Sequence, residues 1–215
     1  LLYPFLRKLA RSIVHLINGK IDVRNHELIP KGNYILIAPH RTWLDIIMLA
    51  LAASPKGSPK DFGFLAKKEL YKSKVLKYIL TKCHGIPVNR ENPGPSVIIR
   101  PVQLLKKTNL SFMIFPSGSR HSSKAKSGAA LIAQLSGLPL EPAVYQGPLT
   151  LKQLFSSHRT THVAFGKPIY VSRKLKLNSK AGQQAIDQKM QDAFNTLDKS
   201  LNPNFHYSDE YLKNK

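Results

Sequence analysis

The stretch APHRTWLD sets His40 directly after one apolar run and Asp45 five residues later, inside the next. An imidazole beside a carboxylate can work as a general base. The carboxylate accepts one ring N–H, fixes the tautomer and stabilises the imidazolium, which leaves the other nitrogen to take a proton. Five residues of regular helix turn through about 500°, so the two side chains would not share a face inside one helix. They meet if His40 precedes the helix and Asp45 reaches back from its first turns, and Pro39 suits such an extended approach. The competing explanation is a helix-capping histidine with an aspartate near the helix N-terminus. That spacing arises by chance in many chains, so the pair gains meaning only in company.

Two other stretches supply the company. In FPSGSR, Gly118 permits a close turn after a buried run, and Ser117 and Ser119 offer hydroxyls. Arg120 offers a bidentate fork for phosphate or carboxylate, and exposed N–H groups in such a turn also bind anions. In GIPVNREN, Arg90 is a second forked cation. Taken singly, each could be a surface arginine, in a solvent-facing turn or paired with Glu91. No enzyme nucleophile accompanies the base. There is no G-x-S-x-G elbow, and Cys83 follows a basic helix with no positioned partner, as a half-buried apolar residue would. The hydroxyl that His40 deprotonates is therefore expected to come from the substrate. Eight scattered histidines without H-E-x-x-H argue against a metal-dependent hydrolase, and no metal site is expected.

These residues need elements to hold them. NYILIAP and LSFMIFP read as continuous apolar strands buried on both faces, and KIDVRNHELI, FGFLAK, GIPV, LEPAVY and THVAFGKPIYV as further strands. Between them fall helices from about Trp43 to Ala53, a basic one over KELYKSKVLKYILTK, one from Ser96 to Lys107, a small-residue one over GAALIAQLSG, and a tail helix from Ser179 to Leu201. Strands alternating with helices imply an α/β fold, with a mixed, mostly parallel sheet covered by helices on both faces. Ligands of such sheets bind beyond the carboxyl ends of the strands. His40, Arg90 and Arg120 each follow a strand end, so chance explains the set less well than its members.

Composition adds a partner. With 215 residues the chain fits one domain and a substantial core. Thirty-three Lys and Arg against twelve Asp and Glu give a net charge of +21, which favours nucleic acid, acidic lipid or a phosphorylated substrate. A nucleic-acid module is disfavoured, because the aromatics fall mostly in strands and helices rather than among basic residues, and no nucleic-acid partner is expected. One cysteine allows no intrachain disulfide and suits a reducing compartment. No run of about 18 uncharged apolar residues is present. LLYPFLRKLARSIVHLI instead reads as an amphipathic helix, with Leu6, Leu9, Ile13, Leu16 and Ile17 on one stripe and Arg7, Lys8 and Arg11 off it. Such a helix can lie in a membrane interface with basic residues near lipid phosphates, or pack on the protein's own core.

In order and spacing, from about residue 30 to 170, the chain resembles the membrane-associated glycerolipid acyltransferases typified by 1-acylglycerol-3-phosphate acyltransferase. His40 to Asp45 matches the family's H-x-x-x-x-D, HGIPVNR its arginine-ended strand, FPSGSR its F-P-E-G-T-R, GLPLEPAV its proline-containing strand, and FLAKKEL its intervening lysine segment. The resemblance implies that residues 20–215 are an acyltransferase domain, preceded by an interfacial helix over 1–19. His40 would be the base and Asp45 its orienting acid. Lys67, Arg90 and Arg120, with Ser117, Gly118 and Ser119 in the same motif, would bind the acceptor. It implies transfer from acyl-CoA or an acyl-carrier protein, as co-substrate and with no further cofactor, to a lysophospholipid. No acyl-enzyme forms. The work would be done at an anionic membrane lipid surface, on the cytoplasmic face, by a peripheral or monotopic protein. Two departures stand out. Ser117 replaces the motif glutamate, which leaves the acceptor open to another lysophospholipid or a glycolipid, and His84 replaces a glycine, with Gly85 beside it.

Overall fold

The computed structural model describes residues 2–55, 59–89, 92–117, 127–156, 161–205 and 207. In chain order the strands are β1 (Ile21–Arg24), β2 (Ile35–Ile37), β3 (Phe62–Lys67), β4 (Gly85–Val88), β5 (Ser111–Ile114), β6 (Leu140–Gln146) and β7 (Thr161–Phe165). They form one sheet in the order β1-β7-β6-β2-β5-β3-β4. From β6 to β4 every pairing is parallel, with Ile37 beside both Ile114 and Pro142 and Lys67 beside Val88. β7 runs antiparallel to β6, and β1 parallel to β7. The fold is thus the mixed, mostly parallel α/β sheet expected. β2, β5 and β6 are buried along their whole length, which is why their sequences show no polar alternation.

Successive side chains of a strand point to opposite faces, so each strand feeds two cores. Leu36, Ala143, Tyr145 and Val163 face the layer of α1 (Leu2–Asn18) and α2 (Leu44–Ala52). Ile35, Ile37, Leu140 and Val144 face α4 (Ser96–Lys107), α5 (Gly128–Ser136) and α7 (Lys180–Leu201). The tail helix α7 is built from both ends of its sequence signal. Ser179 caps it by accepting the N–H of Gly182, and Ile186, Met190, Phe194 and Leu197 form its buried stripe. α3 (Lys74–Lys82) lies against the edge strand β4, while α6 (Leu151–Ser156) packs against α1 and sends Leu154 into the first core.

Several expectations change in detail. The basic segment from residue 68 to 82 is two pieces, a 3-10 turn Lys68–Lys72 and then α3, because Ser73 is extended and its hydroxyl accepts the Leu76 N–H. KIDVRNHELI is a strand only as far as Arg24; Asn25 takes a left-handed φ of 58° and starts a short 3-10 turn. The last strand stops at Phe165, and beyond it only Ile169 bridges back to Leu140. α6 was not foreseen, since six residues are too few to display a helical period.

α1 is helical as expected, yet its faces are not as read. Arg7 pairs with Asp61, and Arg11 donates to the carbonyls of Leu51 and Ser54, so two of the three basic residues point into the protein. The outward stripe is Phe5, Leu9, Ile13 and Leu16, with Lys8 beside it, and Leu16 is 86% exposed. Ile17 packs on the core instead. Ridges three and four residues apart shift the apolar face by one position, which the sequence period alone does not resolve.

Candidate active site

The five parallel strands all run out at one edge of the sheet, and the residues singled out in the sequence follow those ends. β2 ends at Ile37 and leads through Ala38 and Pro39 to His40. At this junction the chain turns around a single oxygen atom. Asp45 Oδ2 accepts the backbone N–H of Arg41 at 2.6 Å and of Thr42 at 2.8 Å, and lies 3.3 Å from His40 Nδ1. A carboxylate oxygen only accepts, so the proton in the histidine contact sits on Nδ1. His40 therefore stands outside the helix and Asp45 in its first turn, the arrangement that the five-residue spacing requires. The carboxylate that orients the ring thus also holds the backbone of residues 41 and 42, just ahead of α2.

Neighbouring elements fix the rest. Thr42 donates its hydroxyl to the Leu149 carbonyl at 2.6 Å and accepts the Leu44 N–H, which ties the loop to the segment before α6. The His40 ring stacks on Phe115, the first residue past β5, at 4.3 Å between centroids and 28° between planes. Asp45 is 1% and His40 9% exposed. Burial raises the Tyr145 phenol well above its ordinary range, with the Asp45 carboxylate adding to the effect, so this ring is a neutral wall that donates to the Pro148 carbonyl.

Lys67 ends β3, two strands from β2, where its ammonium lies 3.7 Å from Glu69 in solvent. Ser117 is buried at 6% exposure just behind Phe115 and Pro116. Arg90, Gly118, Ser119 and Arg120 lie outside the described residues. The strands that lead to them, β4 and β5, end on the same edge as β2. His84 has φ of 61°, a left-handed conformation that glycine adopts without strain, and its ring lies 5.7 Å from that of Tyr3. The glycine expected there from the resemblance would take this conformation freely; this chain takes it with a histidine. Sequence reasoning passed over Thr42, Phe115 and Arg41, whose side chains meet partners far along the chain. Among the described residues no group of three His, Cys, Asp or Glu is placed to hold a metal ion.

A His–Asp pair buried at the carboxyl edge of a largely parallel sheet is an arrangement that can supply a general base at a strand end. Comparison with known proteins specifies the class. Residues 20–146 match the family model described as Acyltransferase. The chain is 41% identical over 198 residues to the 1-acyl-sn-glycerol-3-phosphate acyltransferase of Streptococcus pneumoniae, covering 91% of this chain and 73% of that one. It is 36% identical over 204 residues to the protein of the same name from Bacillus subtilis, covering 92% and 99%. The crystal structure of the 1-acyl-sn-glycerophosphate (LPA) acyltransferase PlsC from Thermotoga maritima superposes with a TM-score of 0.66 over 96% of this chain and 81% of that one, at 19% identity, and so shares the fold. The chain belongs to this acyltransferase family and is an acyltransferase enzyme.

Proposed function

We propose that the protein transfers a fatty acyl group from an acyl thioester, acyl-CoA or acyl-carrier protein, to the free hydroxyl of 1-acylglycerol-3-phosphate, giving phosphatidic acid. The observation that carries this reading is the convergence of His40 Nδ1 and two backbone N–H groups on Asp45 Oδ2. With Nδ1 committed to Asp45, Nε2 takes the proton of the acceptor hydroxyl. The oxygen attacks the thioester carbonyl carbon, the C–S bond breaks, and the leaving thiolate recovers the proton from His40. No acyl-enzyme is needed. A positioned base contributes on the order of 10²–10⁴-fold, and holding two substrates together supplies much of the rest. Arg90, Arg120 and Lys67 hold the acceptor phosphate, in keeping with the resemblance of their motifs and with strands that end on one edge. The names of the relatives support this acceptor.

The same reading places the enzyme on an anionic membrane surface. No helix among the described residues is long and apolar enough to cross a membrane. α1 turns Phe5, Leu9, Ile13 and Leu16 outward, the adjoining α6 exposes Leu151 and Phe155, and Trp43, three residues from His40, is exposed as well. Inserted there, these side chains bring the base to the level of lipid headgroups, and the net charge of +21 favours an anionic leaflet.

The test is a transfer assay with labelled acyl donors against a panel of lysophospholipids in anionic vesicles. Wild type is expected to prefer the phosphate-bearing acceptor, and a folded His40→Ala variant to lose acyl transfer. A folded His40→Ala variant with full activity would sink the mechanism, and preference for another acceptor would reassign the substrate.

A further inference from the structure

Arg41, next to the base in sequence, sends its side chain away from the site. Its guanidinium forms a two-armed pair with Asp198 near the end of α7, with one arm at 3.0 Å and the other on the second carboxylate oxygen. The same guanidinium stacks on Tyr207, 3.8 Å from the ring centroid, and donates to its hydroxyl at 2.5 Å. Asp198 is itself held, by the Tyr207 hydroxyl and by Gln146 Nε2 at 3.1 Å from the end of β6. The Arg41 side chain is 6% exposed, so little solvent screens the pair. Asp198 and Tyr207 lie beyond residues 20–146, which the family model matches.

We infer that Asp198, clamping Arg41 with the help of Tyr207, is a positioning residue for the His40 base. The loop from residue 39 to 43 has no ladder of its own and is fixed at three points: Asp45 takes its N–H groups, Leu149 takes the Thr42 hydroxyl, and Asp198 takes Arg41. Arg41, the residue adjoining His40, is anchored on both sides, its N–H on the acid that orients His40 and its side chain on α7, as Thr42 is anchored between Asp45 and Leu149. A fork-to-fork contact sets orientation as well as distance. Releasing it lets the peptide between residues 40 and 41 rotate, which misaims the ring at fixed substrate binding, and displacements of about 1 Å can cost about a hundredfold in rate. The inference rests on His40 being the base.

Steady-state acyl transfer by full-length Asp198→Ala, Asp198→Asn, Arg41→Gln and Tyr207→Phe tests it, with thermal unfolding measured alongside. Asp198→Ala is expected to lower kcat by about ten- to a hundredfold, with KM for both substrates within about twofold. Asp198→Asn keeps one acceptor oxygen and should recover part of that loss. Tyr207→Phe keeps the ring under the guanidinium and so retains the fold with a smaller drop in kcat. The double variant Arg41→Gln/Asp198→Ala should lose no more than the larger single one, because both break one contact. Gln134→Ala, which frees the Ser172 and Leu175 carbonyls far from the site, serves as a control that costs stability and leaves kcat alone. Unchanged kcat per folded molecule in Asp198→Ala, or additive losses in the double variant, would overturn the clamp. A His40→Ala variant measured in parallel separates the two ideas. If it is inactive while Asp198→Ala turns over normally, only the clamp fails; if it is active, the base assignment fails first.

Discussion

Asp45 and Glu141 are both acids sealed from solvent, at 1% and 0% exposure, on the same side of the sheet and on elements that flank β2, yet their surroundings are opposite. Asp45 has two backbone N–H groups and an imidazole on one oxygen. Neither oxygen of Glu141 has a hydrogen-bond partner, and burial lifts its carboxyl from the ordinary 4.5 to about 8. The difference follows from where each sits relative to a strand end. Glu141 is the second residue of β6, in register with Leu36 within the sheet, where backbone N–H groups are committed to neighbouring strands. Asp45 lies just past a strand end, where the N–H groups of residues 41 and 42 have no ladder partner. Burial alone therefore does not give an acid partners. The main-chain N–H groups left free between the end of β2 and the start of α2 do.

The largest effect should come from disabling the well-served acid. Asp45→Asn can still set an amide oxygen where the three donors converge, but it removes the negative charge that stabilises the imidazolium as His40 takes the proton. A fall in kcat of about 10²–10⁴-fold is expected, with little change in acceptor KM. Asp45→Ala should in addition strand two N–H groups and cost about 1–3 kcal/mol in denaturant unfolding. If Asp45→Asn kept full turnover, the contrast between the two acids would lose its functional meaning.

Why Asp45 was legible in the sequence and Glu141 was not is a matter of range. His40 and Asp45 are five residues apart, and a strand end, a proline and a helix start between them set their geometry locally. The sheet was legible for the same reason, since β2 and β5 announce two-sided burial by their composition. What stayed hidden depends on partners far along the chain. Arg41 meets Asp198 across 157 residues, Arg7 meets Asp61 across 54, and Glu141 is sealed from solvent only once β6 pairs with β2, more than a hundred residues away in the chain. Apolar periodicity shows that a helix such as α1 has a face, but the direction of that face is decided by Asp61 and the carbonyls of Leu51 and Ser54.

Replacing the unserved acid should move stability and spare catalysis. The sign follows from proton counts. Between pH 4.5 and about 8 the unfolded chain has released the Glu141 proton while the native state keeps it, so the native state binds more protons and stability falls as pH rises. The penalty is absent below the unfolded pKa and complete above the folded one. Glu141→Leu removes it. Its gain over wild type should grow through that window and reach on the order of a few kcal/mol by pH 8.5, measured by denaturant unfolding at several pH values. Its kcat should match wild type. A gain of the same size at pH 4 and pH 8.5 would mean that Glu141 already has a partner for its charge.

The smallest effect tests whether Glu141 is truly unserved. The Tyr34 hydroxyl, also buried and without a hydrogen-bond partner, is the polar group whose ionisation Glu141 disfavours, after burial itself. If that hydroxyl does not donate to Glu141, Tyr34→Phe removes a desolvated polar atom and should raise stability by up to about 1 kcal/mol. Thr42→Val is its counterpart beside Asp45. It deletes a hydroxyl that donates at 2.6 Å to the Leu149 carbonyl and should cost about 1–3 kcal/mol, because the carbonyl is left without its donor. The two variants remove one hydroxyl each, so opposite signs in thermal unfolding report the difference in partners rather than in size. A loss above about 1 kcal/mol for Tyr34→Phe would show the phenol donating to Glu141, and the two acids would then differ in the strength of their donors and no longer in having them.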